Sequence, residues 1–419
     1  MTVAVARRLA LGMARIDAVS AGIAPSPFAE VGLNVFRAIA SYSGKALAVL
    51  RDGRETSAYA LIDSRTFTIA PPGYLPLRPR RFALIDAPEL HVLPTLFPHL
   101  KSVWVGAGTV PAIFRRCLTL CAFLVRLGLL QSLLPFAAIM HAVRNRLSWG
   151  ADRGGMFVAI SGWGGDGKPI EREWHMIAEG DDGPFIPAMA AAAVIGHVLN
   201  GHRPPAGARD GTADVKLTDY EDQFSSRRIF AGAREKSARP LYRRLLGSAY
   251  DTLPPTLQRL HDLDCHLIAE GRAKIERGQG ILARLIATAF GFPLAGNDIP
   301  VTVDFRRDKA CEVWRRGFAG REFSSIQEEG RGGFDRLLRE RFGPATFGLA
   351  LVVEAGRLRL LMRRWTLFGV TMPIALAPEC DVHEYEKQGR FHFFVDLGLK
   401  WVGPIVRYQG WLEPRGSEC

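Results

Sequence analysis

The strongest constraint on this chain is a series of alternating runs in its last third. "IPVTVDFRRDKACEVWRRGF" (299–318) turns at Asp308, and "TFGLALVVEAGRLRLLMRRWTLFG" (346–369) turns at Ala355-Gly356. "CDVHEYEKQGRFHFFVDLGL" (380–399) turns at Gln388-Gly389, and "GPIVRYQGWL" closes the series. A two-residue period broken by such turns predicts hairpins, and successive hairpins predict an antiparallel, meander-like sheet. One apolar helix is predicted between strands, "GILARLIATAFGF" (280–292), placed to cover the inner face. A curved sheet around one helix leaves either a tight core or a pocket for an apolar ligand.

The chain is α+β. Residues 1–205 alternate helix-like and strand-like stretches, as an α/β substrate-type domain does. Residues 241–415 read as the mostly antiparallel β domain with its covering helix. Between them, 206–240 is polar and rich in Gly, Pro and Ser, as linkers are. With 419 residues, 48% of them apolar, the chain can bury cores for two or three domains, which excludes global disorder. A net charge of +12 suits an anionic partner or a basic solvated surface. Nucleic-acid recognition has only the basic stretch from Arg227 to Arg244 in its favour and no module. The six cysteines form no CxxC pair, which argues against a disulfide framework or structural zinc and fits a reducing cytoplasm. Arg15 and Asp17 interrupt the first apolar stretch, against a secretory signal.

Several stretches invite a functional reading. Val103-Trp104-Val105 leads into Gly106-Ala107-Gly108 as a dinucleotide-binding turn would, but Pro111 stands where the third glycine belongs. From Leu90 to Ala151 there is no acid to hold a ribose, so a plain strand–turn–helix junction is expected and no cofactor site is visible. The helix predicted after it (111–140) is apolar, with Arg115, Thr119, Ala122 and Arg126 on one narrow stripe. That pattern predicts a buried or interface-lying amphipathic helix with Cys117 and Cys121 in its core, not a membrane span. Glu179, Asp181 and Asp182 precede an alanine-rich helix and are expected to cap it, with a substrate ammonium group or a metal as the alternatives. Asp152-Arg153 would brace a hairpin or face a substrate carboxylate. In "LHDLDCH" (260–266) the two histidines are five apart, a spacing that splays them too far for a helical metal pair.

Four phrases resemble the non-nucleotide part of saccharopine dehydrogenase-like oxidoreductases. They are "GIAPSPFAEVGLNVFRAIASYSGK" (22–45), "RRFALIDAPEL" (80–90), "SWGADRGGM" (148–156) and "AEGDDGPFIPAMAAAAVIGHVLNG" (178–201). From about residue 240 the chain is similar to a C-terminal domain of unknown function, number 4166, through "LYRRLLG", "GRAKIERGQG", "VWRRGFAGREFSS", "RERFGPATFGLAL" and "GRFHFFVDLGLKWVGPIVRYQGWL". The first resemblance implies an oxidoreductase relative, a possible homodimer, that binds NAD(P) only through a Rossmann region upstream of the matched phrases. It implies no catalytic residue by number. The candidate substrate contacts are Asp152, Arg153, Glu179, Asp181 and Asp182, with no metal ligand among them. The rival expectation is a non-enzymatic protein that holds an apolar ligand in the C-terminal sheet and rests through 111–140 on the anionic inner face of a membrane.

Overall fold

The computed structural model describes residues 1–108, 111–146, 150–236, 240–308 and 310–418. The chain divides into two compact units, Met1–Pro71 with Leu77–Ser237, and Pro72–Pro76 with Ala238–Cys419.

In chain order the first unit holds α1 (Thr2–Ala10), β1 (Met13–Ala24), α2 (Leu33–Tyr42), β2 (Ala46–Arg51), β3 (Arg54–Tyr59), β4 (Ser64–Phe67) and β5 (Arg80–Leu84). There follow α3 (Glu89–Leu96), β6 (Ser102–Ala107), α4 (Ala112–Arg126), α5 (Ala137–Arg146), β7 (Arg153–Gly164) and β8 (Pro169–Glu179). It ends with α6 (Ile186–Leu199), α7 (Leu217–Phe224) and β9 (Ile229–Lys236). Seven strands form one mixed sheet, β4-β5-β6-β1-β7-β8-β9, in which β1 and β6 run parallel. The hairpin expected at Asp52-Gly53 forms β2 and β3, and both turn residues have positive φ, as a tight two-residue turn requires. The polar segment 206–240 is not all connection: α7 lies in it, and β9 pairs along β8 from Glu171 to Ala178. Its strand was hidden because β9 buries small or short-patterned residues, Ile229 among them, beside charged ones.

The glycines of "VGAG" serve packing. A Cβ on Gly106 would lie 2.2 Å from the Trp104 ring, and one on Gly108 would lie 3.0 Å from Phe82. Among the described residues no helix is long and apolar enough to cross a membrane, and the 111–140 stretch is divided between α4 and α5. The stripe on α4 is mixed in exposure, with Arg115 and Thr119 half-buried and Arg126 exposed. Ala122 is fully buried, Thr119 Oγ1 donates to the Leu61 carbonyl at 3.1 Å, and Arg126 lies over the Tyr59 ring. Ile113, Leu120 and Phe123 are exposed, and so is Cys117, which was expected in the core; Cys121 is half-buried. Cys265, expected to be unbridged, is disulfide-bonded.

The second unit begins with α8 (Leu241–Leu246) and α9 (Pro255–His261), then β10 (His266–Arg277), α10 (Ile281–Ala289), β11 (Gly296–Asp308), β12 (Cys311–Phe318), β13 (Arg321–Glu329) and β14 (Leu338–Phe342). After these come β15 (Ala345–Glu354), β16 (Arg357–Leu367), β17 (Val370–Thr371), β18 (Glu379–Lys387), β19 (Arg390–Leu399) and β20 (Gly403–Glu418). Each hairpin read from the sequence is present, so the expected antiparallel meander is observed. Apart from the short flap β17, the strands make a ten-stranded antiparallel barrel. Every strand pairs with its neighbour in the chain, and β10 pairs with β20 to close the circle, with Gly271 opposite Leu412 and Arg277 opposite Val406. Closure satisfies the edge strands that an open sheet would leave unpaired.

The registers also define the two ends of the barrel. One end gathers α10, the β12–β13, β14–β15 and β19–β20 turns and the segment 368–378. The other is packed with α8, α9 and the turn between them, where Tyr242, Leu246, Tyr250 and Leu257 are fully buried.

The seam tolerates no side chain at one point. A Cβ on Gly271 would fall 1.8 Å from the Trp411 carbonyl oxygen. Gly271→Ala is expected to cost about 1–3 kcal/mol, measured as a lower urea midpoint of the full chain. Gly165→Ala, where the Cβ meets open space, should stay within about 0.5 kcal/mol.

Candidate ligand-binding site

About eight strands make a barrel whose interior side chains just fill it or hold one small ligand, and the diameter grows with strand number. Ten strands leave a cavity of about 410 Å³ here. Its wall follows from strand alternation: Val301, Val303 and Phe305 on β11 point inward, as do Phe391, Phe393 and Val395 on β19. The plug contributes Leu260 and His261, and α10 contributes Ile286 and Phe290.

The alternation also brings polar side chains into this apolar interior. Glu312, Trp314 and Arg316 share the inward face of β12, and Gln327, Glu340 and Glu384 project from β13, β14 and β18. Glu312 stands opposite Gln327, and Gln327 opposite Glu340, so these three lie side by side across adjacent strands. Tyr242 O–H donates to Gln327 Oε1 at 3.0 Å, and Gln327 Nε2 donates to Glu340 Oε1 at 3.1 Å. Ser325 Oγ donates to the same carboxylate oxygen at 2.7 Å, and Arg316 pairs with it at 3.4 Å.

A second group centres on His261. Its ring stacks on Tyr242 with centroids 3.8 Å apart, and its Nε2 lies 2.6 Å from Glu384 Oε2. An ionised carboxylate at that distance accepts the Nε2 proton, so in the neutral ring the lone pair lies on Nδ1. Nδ1 is buried and has no hydrogen-bond partner among the described residues. Glu312 is held by the Trp314 Nε1–H at 3.1 Å and the Leu241 N–H at 3.3 Å.

Burial raises the pKa of Glu312 above the ordinary glutamate value, against the opposing pull of the Trp314 indole. Burial likewise pushes Tyr408 up to about 12 and Cys380 up to about 12. Tyr242 is raised well above its ordinary value by burial, followed by the charges of Glu384 and Glu312. The hydroxyls and the thiol therefore stay neutral and can donate. Buried ionic groups cost several kcal/mol each unless paired. An all-apolar lining would avoid that cost, so a cavity that holds such groups has the character of a functional site.

The candidate substrate contacts from the sequence lie elsewhere, in the first unit. Arg153 and Glu179 face each other across β7 and β8 and pair at 2.7 Å, and Glu179 also meets Arg228 at 3.0 Å. Asp152 accepts the Ser26 hydroxyl at 2.6 Å. Asp182 makes no cap on α6; it accepts the Arg228 N–H at 2.8 Å and pairs with Arg227 at 2.9 Å, and these hold its carboxyl below the ordinary range. Asp181 is exposed, in a left-handed turn. The "LHDLDCH" side chains separate: His261 enters the barrel, while His266 pairs with Asp304 at 2.8 Å.

Reading the sequence missed the buried polar group. Its signal was present as phase: Glu312 alternates with Trp314, Glu340 with Phe342, and Glu384 with Val382, so each acid occupies an apolar position.

Residues 253–412 match the family described as Domain of unknown function (DUF4166). That span covers β10 to most of β20, and the cavity with them. No curated protein matches the chain. Among solved structures, the chain is distantly similar to apo histidine-tagged saccharopine dehydrogenase (L-Glu forming) from Saccharomyces cerevisiae. The identity is 11%, the TM-score is 0.37, and the likeness covers 56% of this chain and 70% of that one.

The raised pKa of Glu312 has a consequence for stability. Folding favours its protonated form, so its contribution is full below the ordinary glutamate value and is lost as pH rises through the raised one. The thermal midpoint of Glu312→Gln relative to the unsubstituted chain should therefore climb as pH rises above the ordinary glutamate value. A difference that does not change with pH would contradict the burial argument.

Proposed function

We propose that the C-terminal barrel binds an elongated apolar molecule that ends in a hydroxyl group. The observation that carries this reading is the buried, unpartnered Nδ1 of His261, a residue that lines the mainly aromatic and aliphatic cavity. The volume of about 410 Å³ lies within the range of small-molecule pockets. Apolar walls supply affinity in proportion to the area they cover. The neutral histidine supplies an acceptor that a ligand O–H satisfies, and Glu384 keeps that acceptor free by holding the other ring proton. Glu340, which lines the cavity, disfavours a carboxylate beside it at the polar end. In residues 1–205 the glycines that suggested a dinucleotide turn lie against aromatic rings.

Trp314 and Trp365 line the cavity and report on its contents. Titration with dodecanol is expected to change their fluorescence saturably. His261→Phe should weaken dodecanol about tenfold and leave dodecane nearly unchanged. No saturable change with either probe, or equal loss for both in a variant that remains folded, would overturn the reading.

A further inference from the structure

We infer that the α10 end of the barrel docks on an anionic lipid surface, the source from which the cavity is filled; this rests on the reading of the cavity just given. α10 has two apolar faces. Ala283 and Ala287 are buried and Ile286 lines the cavity, whereas Ile281, Leu282 and Leu285 are exposed at 81%, 55% and 62%. A cluster of exposed large apolar side chains marks a surface that meets a partner or a membrane. Here one helix thickness separates the cavity from the outside.

The surroundings of α10 continue the pattern. Phe368 and Trp401, each 80% exposed, stand in turns at the same end of the barrel, with Val370 also exposed. The charges are one-sided. From Gln279 to Asn297 only Arg284 is charged, from Trp365 to Pro378 nothing is, and from Leu399 to Val406 only Lys400 is. These three segments thus present apolar side chains and two exposed cations with no carboxylate. Lys400 Nζ sits 5.8 Å from the Trp401 ring centroid. Tryptophan beside lysine suits the headgroup level of a bilayer, where the ring is part-buried and the ammonium meets lipid phosphate. The exposed carboxylates at this end, Asp298, Glu322 and Glu379, stand outside these segments at strand starts; within the segments the two cations match an anionic bilayer surface, met from one side without crossing it.

Flotation of the full chain with phosphatidylcholine vesicles containing phosphatidylserine tests this at low salt. The unsubstituted chain is expected to float. Ile281→Ser with Leu285→Ser and Trp401→Ala should bind at least about tenfold more weakly, with dodecanol binding and thermal unfolding unchanged. Arg284→Glu with Lys400→Glu leaves the apolar face intact; it should lose about tenfold or more on these vesicles and nothing on pure phosphatidylcholine. Flotation that is lost only through Leu120→Ser with Leu129→Ser on the apolar surface at and beyond α4 would overturn the assignment. So would a chain that never floats, or substitutions at α10 that dissolve a dimer and leave flotation intact. Flotation that depends on α10 in a chain without dodecanol binding would support the surface and refute the cavity reading, so the two failures are distinguishable.

Discussion

The pairing of β10 with β20 is the interaction on which the second unit depends. It joins the first strand of the meander to the last, so it closes a loop of more than a hundred residues. Loop closure over such a separation is entropically costly and is offset only by the whole run of cross-strand hydrogen bonds and the core they enclose. Gly271 and Gly410 mark how close that approach is: a Cβ on either would strike the backbone of the facing strand. Once the seam is made, the inward face of each strand points into one enclosed volume. A strand's alternation then decides which residues meet a ligand.

Enclosure also gives the polar group its character. At a surface, Glu312, Glu340 and Glu384 would be ordinary solvated acids. Inside the barrel each is tied to specific donors, and the low dielectric makes both the pairing and any missing partner matter more. The result is a fixed arrangement of acceptors and neutral donors at one place in an apolar cavity. Tyr242 connects its two parts, since it donates to Gln327 and stacks on His261. The same plug that seals this end of the barrel thereby builds the polar end of the site.

Much of this fold was legible from alternation alone. The hairpins at Asp308, Ala355-Gly356 and Gln388-Gly389 stand where the sequence places them. β10 was not read, because its inward residues Ala269, Gly271 and Ala273 are small and its outward ones are charged, which leaves a weak apolar rhythm. Closure itself has no local signature, being a pairing between residues more than a hundred positions apart. For α4, periodicity gave the stripe but not how far each of its residues is buried. The Thr119 hydroxyl is bonded to the Leu61 carbonyl, while Arg126 stays exposed over the Tyr59 ring. His261 was weighed against His266 as a metal pair, when its actual partner, Glu384, lies far along the chain.

The account turns on whether the barrel interior is a binding site or a packing defect. A crystal structure of the full chain grown with dodecanol decides this most directly. The predicted result is an alkyl chain along the aromatic wall between Phe290 and Phe393, with its oxygen at hydrogen-bond distance from His261 Nδ1. An unaltered cavity, filled by rotated side chains or by water with the alcohol only on the outside, would contradict it.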